Sequence, residues 1–475
     1  MVIGTIAGQV GRTVDAMGAT VSEAFFEPVL RLGVTGLSRA GKTVFITSLV
    51  TNLLEPARMT ALAAAQSGRM TGVWLQPQPD MTLPRFDYET HLAALTGPQP
   101  HWPESTRAIS ELRLSFRLAP SGLTGMLTGA LTGPRRMHID IVDYPGEWLL
   151  DLTLMSRSHA DWSRQTLARI QSRPEAARFL AMARDTDAAV PHDETVARDL
   201  AAAFTDYLHA ARAAGWSDCG PGRFLLPGDL AGSPVLTFAP LPEPATPRRG
   251  SLWREMQRRY DAYCRQVVRP FFENHFARID RQVVLVDLIE AVQRGPAALD
   301  DLRRTLAEVL GAFRPGSNSF LATLLRGRRV EKLLFAATKA DHLHHSQHPA
   351  LGALAEAMLA QARDRARYAG AGTQALARAA LRATVEDRRV HDGRQLDLVR
   401  GRLADGRQAA FHAGDLPADP ARLLMPAREG AAAWPAGAYQ AARFAPPVLD
   451  RRPGEGLPHI RLDRAAEFLL GDWLA

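Results

Sequence analysis

The chain has 475 residues, 46% of them hydrophobic and 23% charged, which is typical of a globular protein with two or three domains or with one elaborated domain. Two cysteines, Cys219 and Cys264, are too few for a disulfide framework and fit a reducing compartment. The formal net charge of +7 would suit an anionic partner. The basic residues are mostly arginines scattered through alanine-rich segments, which favours a solvated basic surface and predicts no specific nucleic acid partner.

The N-terminal stretch, residues 1–27, carries apolar residues at roughly helical spacing. It predicts a helix that packs on its own domain, and the alternative is a helix on an anionic membrane surface or on a partner. No apolar run reaches the ~20 residues that cross a bilayer, and the first residues lack the compact apolar core of a signal peptide. We therefore expect a cytoplasmic protein, with peripheral membrane association left open.

A glycine-bounded loop follows a short apolar strand and precedes a helix. It matches the pattern G-x-x-x-x-G-K-[ST] and reads Gly36-Leu37-Ser38-Arg39-Ala40-Gly41-Lys42-Thr43. Such a loop curls its backbone N–H groups around a phosphate, and the helix N-terminus adds partial positive charge. Lys42 is expected to reach the β and γ phosphates of a nucleotide, and Thr43 to bind Mg²⁺. The predicted nucleotide contacts in the loop are Ser38, Arg39, Ala40, Gly41, Lys42 and Thr43.

The residues after the first helix show little periodicity, and 59–103 are expected to form a long loop with short helical pieces. Alternating residues then predict two strands, 109–118 and 137–143, paired as an antiparallel hairpin. A D-x-x-G pattern, Asp143-Tyr144-Pro145-Gly146, follows directly. The carboxylate of Asp143 would hold Mg²⁺ through water, and the Gly146 amide would sense a γ-phosphate.

The composition then predicts how the remainder of the chain is organised. Alanine, arginine and leucine dominate residues 149–278, which indicates a mainly helical insertion. The α/β pattern resumes with buried strands at 282–289 and 332–337, and residues 375–382 could be a further sheet strand despite their alanine content. The expected division is a first core part 28–148, the helical insertion 149–278, a second core part 279–388, a β-rich insertion 389–458 and a closing core helix 459–475.

A base-recognition pattern, Thr338-Lys339-Ala340-Asp341, follows the second of these strands. Ligands of open α/β sheets gather at the carboxyl ends of strands. Asp341 could accept two hydrogen bonds from the N1 and 2-amino groups of guanine, a donor pair that adenine lacks, while the Lys339 stem covers the base. His342 could line the base pocket, and a weaker pattern expects the backbone of Ala383 and Val385 to touch the base edge.

Histidines crowd the segment after this pattern, at His342, His344, His345 and His348. Such a tract can bind a metal, but its place after the base-recognition pattern favours a solvated loop. No pair of cysteines supports a zinc site of the structural type.

The order and spacing of these motifs resemble those of the Ras-like GTPases. Four stretches look more closely like the bacterial YcjX-like family of P-loop proteins: residues 32–43, Trp102-Pro103-Glu104-Ser105-Thr106, residues 143–148 and His459-Ile460-Arg461-Leu462-Asp463. The resemblance implies an α/β fold with a Ras-like P-loop core, a large helical insertion and small β decorations. It also implies GTP/GDP and Mg²⁺ as ligands and a stress or envelope-associated role, with an unknown protein partner that could include an inner-membrane protein.

The resemblance also assigns the first switch to residues 102–107, where Ras-like proteins place a Mg²⁺-binding threonine. Thr106 is the preferred ligand and Ser105 the alternate. Arg107 is either an arginine supplied in cis or a plain strand boundary. Trp102 either covers the nucleotide or packs in the core.

Glu147 stands where Ras-like enzymes carry the glutamine that orients the attacking water. A carboxylate there is repelled by a γ-phosphate and needs protonation, a bridging water or a metal to help. We therefore expect slow GTP hydrolysis with Lys42, Thr43, Glu147 and Arg107 as the catalytic candidates. The alternatives are a P-loop ATPase, which Thr338 in place of the usual asparagine leaves open, and a nucleotide-stabilised scaffold or membrane-associated module without turnover.

Overall fold

The computed structural model describes residues 27–37, 40–104, 106, 108–120, 135–312, 330–368, 371–429, 434, 437–440 and 442–475. The predicted N-terminal helix and four predicted site residues, Ser38, Arg39, Ser105 and Arg107, lie outside this part of the chain, apart from residue 27 at the helix end.

A mixed sheet of seven strands, in the order β2-β3-β4-β1-β5-β6-β7, forms the centre of the described chain. The strands are β1 (Val29–Gly36), β2 (Met70–Gln76), β3 (Ser110–Leu118), β4 (Arg135–Asp143), β5 (Arg281–Val286), β6 (Lys332–Ala337) and β7 (Gly372–Ala377). Strand β3 is antiparallel to β2 and β4, and the pairs from β4 through β1, β5 and β6 to β7 are parallel. The α/β fold class expected from the sequence is thus confirmed.

Strand β2 forms where the sequence predicts a loop. It lies at the edge of the sheet, paired with β3 alone, and its register shifts between Met70 and Gly72. Its residues are only partly buried, so they show no clear alternation of apolar and polar side chains. An edge strand with an irregular register gives little periodic signal in a sequence.

Helices cover both faces of the sheet. They are α1 (Lys42–Leu54), α2 (Ala63–Gln66), α3 (Tyr88–Thr96), α4 (Trp148–Leu152), α5 (His159–Ile170), α6 (Ala177–Asp185), α7 (Glu194–Ala214), α8 (Gly222–Leu225), α9 (Leu252–Tyr263), α10 (Arg269–Asn274), α11 (Leu288–Arg294), α12 (Pro296–Ala312), α13 (His348–Tyr368), α14 (Ala421–Glu429) and α15 (Leu462–Leu470). No helix among the described residues is long and apolar enough to span a bilayer.

Two large hydrophobic cores lie on opposite faces of the sheet. Alternate residues of β5 divide between them: Val283 and Leu285 join α1 and α15, whereas Val284 and Val286 join the helices of the segment 149–278. This division follows from the side-chain period of two along a strand. The helical segment therefore shares a continuous core with the sheet.

A small antiparallel sheet extends the C-terminal part of the chain. It contains β8 (Thr384–His391), β9 (Arg394–Arg402) and β10 (Gln408–Phe411) in the order β10-β9-β8. It begins at Thr384, ahead of the boundary at residue 389 that the sequence analysis placed. The reason is that β7 ends at Ala377, so the turn into the decoration comes earlier than expected.

A buried ion pair joins the helical segment to α12. Arg173 Nη2 lies 2.6 Å from Asp301 Oδ1, and the two side chains are 2% and 1% exposed. The other carboxylate oxygen accepts the backbone N–H groups of Ser217 and Asp218. The Arg173 guanidinium also stacks over the Trp216 ring. Both charges are thus buried and depend on each other for compensation.

Loss of one partner in this pair should be severe. We expect Arg173→Met to lower the free energy of unfolding by about 3–5 kcal/mol, because it leaves the Asp301 carboxylate buried and unpaired. The matched control is Arg178→Met, which removes the Arg178–Asp206 pair, whose side chains are 82% and 67% exposed. That control should cost about 0–1 kcal/mol in the same urea titration. Equal losses in the two variants would contradict the prediction.

Candidate functional site

The phosphate-loop pattern occupies the strand-to-helix turn that the sequence predicts. Strand β1 ends at Gly36 and helix α1 begins at Lys42. Gly41 has φ of 78°, a left-handed conformation that a residue with a side chain rarely adopts, although a Cβ there would meet no other atom. The second glycine of the pattern is therefore required by its backbone conformation, which turns the chain into α1.

Four side chains from three segments meet at the start of α1. Lys42 Nζ lies 2.7 Å from Asp143 Oδ1 and also donates to the carbonyl of Tyr144. Thr106 Oγ1 donates to Asp143 Oδ2 at 2.7 Å and lies 3.5 Å from Thr43 Oγ1. Asp143 is 1% exposed. The residues predicted from the phosphate loop, the first switch and the D-x-x-G pattern are thus brought into one cluster.

The donor set of this cluster fits a hard divalent cation. Two hydroxyls and one carboxylate, from Thr43, Thr106 and Asp143, are all oxygen ligands, which Mg²⁺ prefers. Mg²⁺ is commonly held by one or two carboxylates plus the phosphates of a substrate. The cluster supplies that number, and Lys42 adds the positive charge that a phosphate would meet.

Gly146 packs directly against the end of β1. A Cβ at this position would stand 1.7 Å from the carbonyl oxygen of Gly36, so no other residue fits without moving the backbone. The D-x-x-G turn therefore touches the phosphate loop through main-chain atoms.

Glu147 forms an ion pair with a residue that the sequence analysis did not select. Its Oε1 lies 2.7 Å from Arg212 Nη2, near the end of α7 in the helical segment. Glu147 is only 8% exposed. Arg212 belongs to an alanine-rich helix without a motif, so the sequence offers no local signal for this contact.

The residues of the predicted base-recognition pattern follow β6 and are held by several contacts. Asp341 Oδ2 accepts the Ala383 N–H at 2.9 Å, and the Thr384 hydroxyl donates to the Asp341 carbonyl. Lys339 Nζ lies 2.5 Å from Asp287 Oδ2. Burial alone would lower the pKa of Lys339, but the pair with Asp287 raises it. Thr338 donates its hydroxyl to the carbonyl of Val286 at 3.3 Å, so it can support this loop as the expected asparagine would.

The loop that faces the base side differs from the one expected. Ala383 is buried with its N–H used by Asp341, and Val385 is 50% exposed on β8. The residues that reach the cavity are instead 378–381, directly after β7. The sequence interpretation extended the strand to Arg382, because alanine-rich strands end without a clear signal, and so it placed the loop too late.

A cavity of about 620 Å³ connects these parts. Such a volume is typical of a ligand site. The predicted residues that line it are Ala40, Gly41, Lys42, Thr43, Trp102, Thr106, Gly146, Glu147, Lys339, Asp341 and His342. One side is closed by residues 442–446, which we call the roof segment, together with Arg402 of β9.

Trp102 lies at this roof and not in a core. Its indole N–H donates to the carbonyl of Phe444 at 2.8 Å, and the side chain is 39% exposed. Arg402 Nη2 donates to the carbonyls of Pro100 and Pro446 at 2.7 and 2.8 Å. His342 contacts the Phe444 ring edge-on, with ring centroids 5.4 Å apart. The segment predicted as the first switch is therefore joined, through the roof segment, to the side of the cavity that carries His342 and Asp341.

Arg378 is a second residue that the sequence analysis missed. It lines the cavity but is fully buried, with its guanidinium 4.0 Å from the Phe45 ring centroid. None of its side-chain nitrogens has a hydrogen-bond partner among the described residues. Burial lowers the pKa of Arg378 to about 9, which still leaves it charged at neutral pH. A buried cation without a partner is costly unless it serves a ligand.

Comparisons with known proteins place the whole described core in one family. Residues 30–474 match the model of the YcjX-like family, DUF463. A protein named Ras-like GTPase YcjX from Escherichia coli K12 is 39% identical over 459 residues, 94% of this chain and 96% of the relative. A protein of the same name from Shewanella oneidensis MR-1 is 35% identical over 471 residues, 94% of each chain.

The cost of the Arg378 charge can be measured. We expect Arg378→Met to raise the free energy of unfolding of the nucleotide-free protein by about 1–3 kcal/mol, because it removes buried donors without partners. The same variant should bind nucleotide more weakly, since a cation in the cavity wall is lost. Urea titration and nucleotide titration of the same preparation measure the two effects.

The control for Arg378 is Arg382→Met, in the same loop, whose side chain is 39% exposed. It should leave both quantities nearly unchanged. A destabilised Arg378→Met protein with full nucleotide affinity would show that the guanidinium serves packing alone.

Proposed function

This chain belongs to the YcjX-like family, and on that premise we propose that it is a P-loop GTPase that binds GTP and GDP with Mg²⁺ and hydrolyses GTP slowly. The observation that carries the proposal is that one cavity brings together residues suited to phosphates and residues suited to a base. Lys42, Thr43 and Thr106 line one part of its wall, with Asp143 bonded behind them, and the Asp341 loop lines another. A nucleotide has this division into phosphates and base.

Asp341 supports a preference for guanine over adenine. Its carboxylate is 4% exposed, and the Ala383 N–H fixes its orientation. Guanine offers two donors, N1–H and the 2-amino group, whereas adenine leaves the buried carboxylate with the Ala383 N–H but without the two donors of a base. A site built to pair with such groups rejects an analogue that lacks them by a large factor, because the desolvated acceptor stays unsatisfied.

The phosphate end of the proposed site combines a cationic side chain with oxygen ligands for a metal ion. Lys42 would bind the β and γ phosphates, and Thr43, Thr106 and Asp143 would hold Mg²⁺, which neutralises charge that develops on the phosphates. The Gly146 amide, fixed against β1, would donate to the γ-phosphate. These residues position and neutralise, which is the main contribution of a protein to phosphoryl transfer.

The ion pair with Arg212 would reduce the electrostatic repulsion between the Glu147 carboxylate and a γ-phosphate. Arg212 neutralises Glu147 at 2.7 Å, so the carboxylate can accept a hydrogen bond from an attacking water with less repulsion. Arg212 also brings positive charge to the cavity wall, the role of an arginine supplied in cis. We propose that Glu147 orients the attacking water and that Arg212 neutralises the charge of Glu147.

The contacts behind Glu147 support a role as a nucleotide-dependent switch. Its carbonyl packs so closely on Gly222 that a Cβ there would stand 2.1 Å away. Asp151, at the end of α4, accepts the Gly222 N–H at 2.7 Å and the Tyr263 hydroxyl at 2.7 Å. We propose that a change in the D-x-x-G turn between the GTP and GDP states moves the helical segment through these contacts.

The base assignment is tested by exchanging hydrogen-bond donors and acceptors. Asp341→Asn should weaken GTP binding by a factor of 100 or more and gain affinity for xanthosine triphosphate, since xanthine carries a carbonyl where guanine carries its 2-amino group. Titration of nucleotide-stripped protein with fluorescent GTP, xanthosine triphosphate and ATP measures this. Equal or tighter binding of ATP by the unchanged protein would sink the guanine assignment and favour an ATPase.

The roles of Glu147 and Arg212 are tested by single-turnover GTP hydrolysis. Glu147→Ala and Arg212→Met should each lower the rate by roughly 100-fold, the scale of a lost positioning or proton-transfer group. The double variant should be no slower than either single variant, because the two residues act as a unit.

The control for Arg212 is Arg198→Met, an exposed arginine on the same helix α7, which should keep the full rate. Losses that multiply in the double variant, or a full rate in Arg212→Met, would contradict the paired role. Undetectable turnover in the unchanged protein, with the same shape in GTP and GDP, would favour a nucleotide-stabilised scaffold.

A further inference from the structure

A second cluster of ligand-type side chains lies outside the cavity. It consists of His344 and His345, in the loop after Asp341, and Glu386 on β8, and one donor atom from each lies within 4.8 Å of the others. We propose that this cluster is a binding site for a divalent transition metal, with Zn²⁺ the ion that its ligands fit best.

The distances between the donor atoms suit a shared ion. Glu386 Oε2 lies 2.7 Å from His345 Nδ1 and 3.8 Å from His344 Nε2. Zn²⁺ binds imidazole nitrogen and carboxylate oxygen at about 2.0–2.2 Å, so tetrahedral ligand atoms stand roughly 3.3 Å apart. The two separations from Glu386 bracket this value, and the donor atoms of His344 and His345 lie within 4.8 Å of each other.

The surroundings of His344 hold its ring in a position that suits a metal ligand. Its ring is 4% exposed, and Nδ1 lies 2.8 Å from Ser346 Oγ and 3.2 Å from Asp397 Oδ2. Ser346 Oγ in turn donates to Asp397 Oδ2 at 3.1 Å. The backbone N–H of Ser346 also lies 3.4 Å from Nδ1, so the contacts of this nitrogen fix the ring and leave Nε2 on the side of Glu386, 3.8 Å from Oε2. A carboxylate that orients the second nitrogen of a histidine is the usual support of a metal ligand.

The chemistry of the ligands selects the class of ion. Two imidazoles and one carboxylate are the protein donors of many zinc sites that keep a fourth position for water. The His345 side chain is 62% exposed, so water can occupy that position. Mg²⁺ and Ca²⁺ prefer oxygen ligands alone, which sets this cluster apart from the Thr43, Thr106 and Asp143 cluster.

The ion would link two segments that are far apart in sequence. His344 and His345 leave the base-recognition loop, and Glu386 belongs to the decorating sheet. At this exposed surface the two segments are joined by hydrogen bonds, among them the one from the His345 N–H to Glu386 Oε1 at 3.2 Å. Metal binding should therefore stabilise the folded chain against thermal unfolding.

The site is tested on the full chain without a histidine tag, after treatment with a chelator and in excess Mg²⁺. Zn²⁺ is titrated in competition with a chromophoric chelator, without nucleotide. We expect one equivalent to bind and the melting temperature to rise. His345→Ala and Glu386→Gln should abolish both effects, and Asp397→Asn should weaken binding roughly 10- to 100-fold.

The control is His391→Ala, which removes an exposed histidine 3.6 Å from the Asp392 carboxylate and should leave zinc binding unchanged. Replacement of Zn²⁺ by Co²⁺ should give the absorption of a tetrahedral site, absent in Glu386→Gln. The proposal is overturned if zinc binding survives in both ligand variants, or if the unchanged protein binds no zinc in this competition. Circular dichroism of each variant checks that a loss of binding is not a loss of folding.

Discussion

The contact between Lys42 and Asp143 depends on the parallel pairing of β1 with β4, and the remaining site depends on the same constraint. Parallel strands end at one edge of a sheet, so the residues that follow β1, β4, β6 and β7 meet there although they are distant in sequence. The antiparallel strand β3 brings Thr106 to the same edge from the opposite direction, because Thr106 precedes that strand. The sheet thereby places a lysine, two hydroxyls and a carboxylate within a few ångströms of one another.

The helical segment 149–278 is bound to this edge by burial and by charge. It shares one hydrophobic core with a face of the sheet, and the Arg173–Asp301 pair fixes it to α12. The Glu147–Arg212 pair then connects it to the D-x-x-G turn. A segment with its own separate core could move relative to the sheet without repacking, whereas this segment completes the core of the sheet and is packed as one body with it.

Much of the fold could be predicted because local pattern and tertiary environment agree in it. The β6 range 332–337 was predicted as observed, and the alternation in β3 and β4 indicated their hairpin, since one-sided burial repeats every second residue. Strand β2 lacked that signal because it lies at an edge. In the candidate site, the phosphate-loop and D-x-x-G patterns could be predicted because each places residues at the fixed spacing that a backbone conformation or a ligand requires. Arg212 and Arg378 could not, since only tertiary packing brings them to the cavity, and the division into domains remains a prediction.

In the hydrogen bonds that Trp102 and Arg402 make at the roof of the cavity, side chains donate and backbone carbonyls accept. The side-chain donors are Trp102 and Arg402, and their acceptors are the backbone carbonyls of Pro100, Phe444 and Pro446. Every residue type carries a backbone carbonyl, so these bonds place no demand on side-chain identity at the accepting positions. At the accepting positions, evolution must therefore preserve the path of the backbone. At Trp102 and Arg402 it must preserve a side chain that can donate a hydrogen bond.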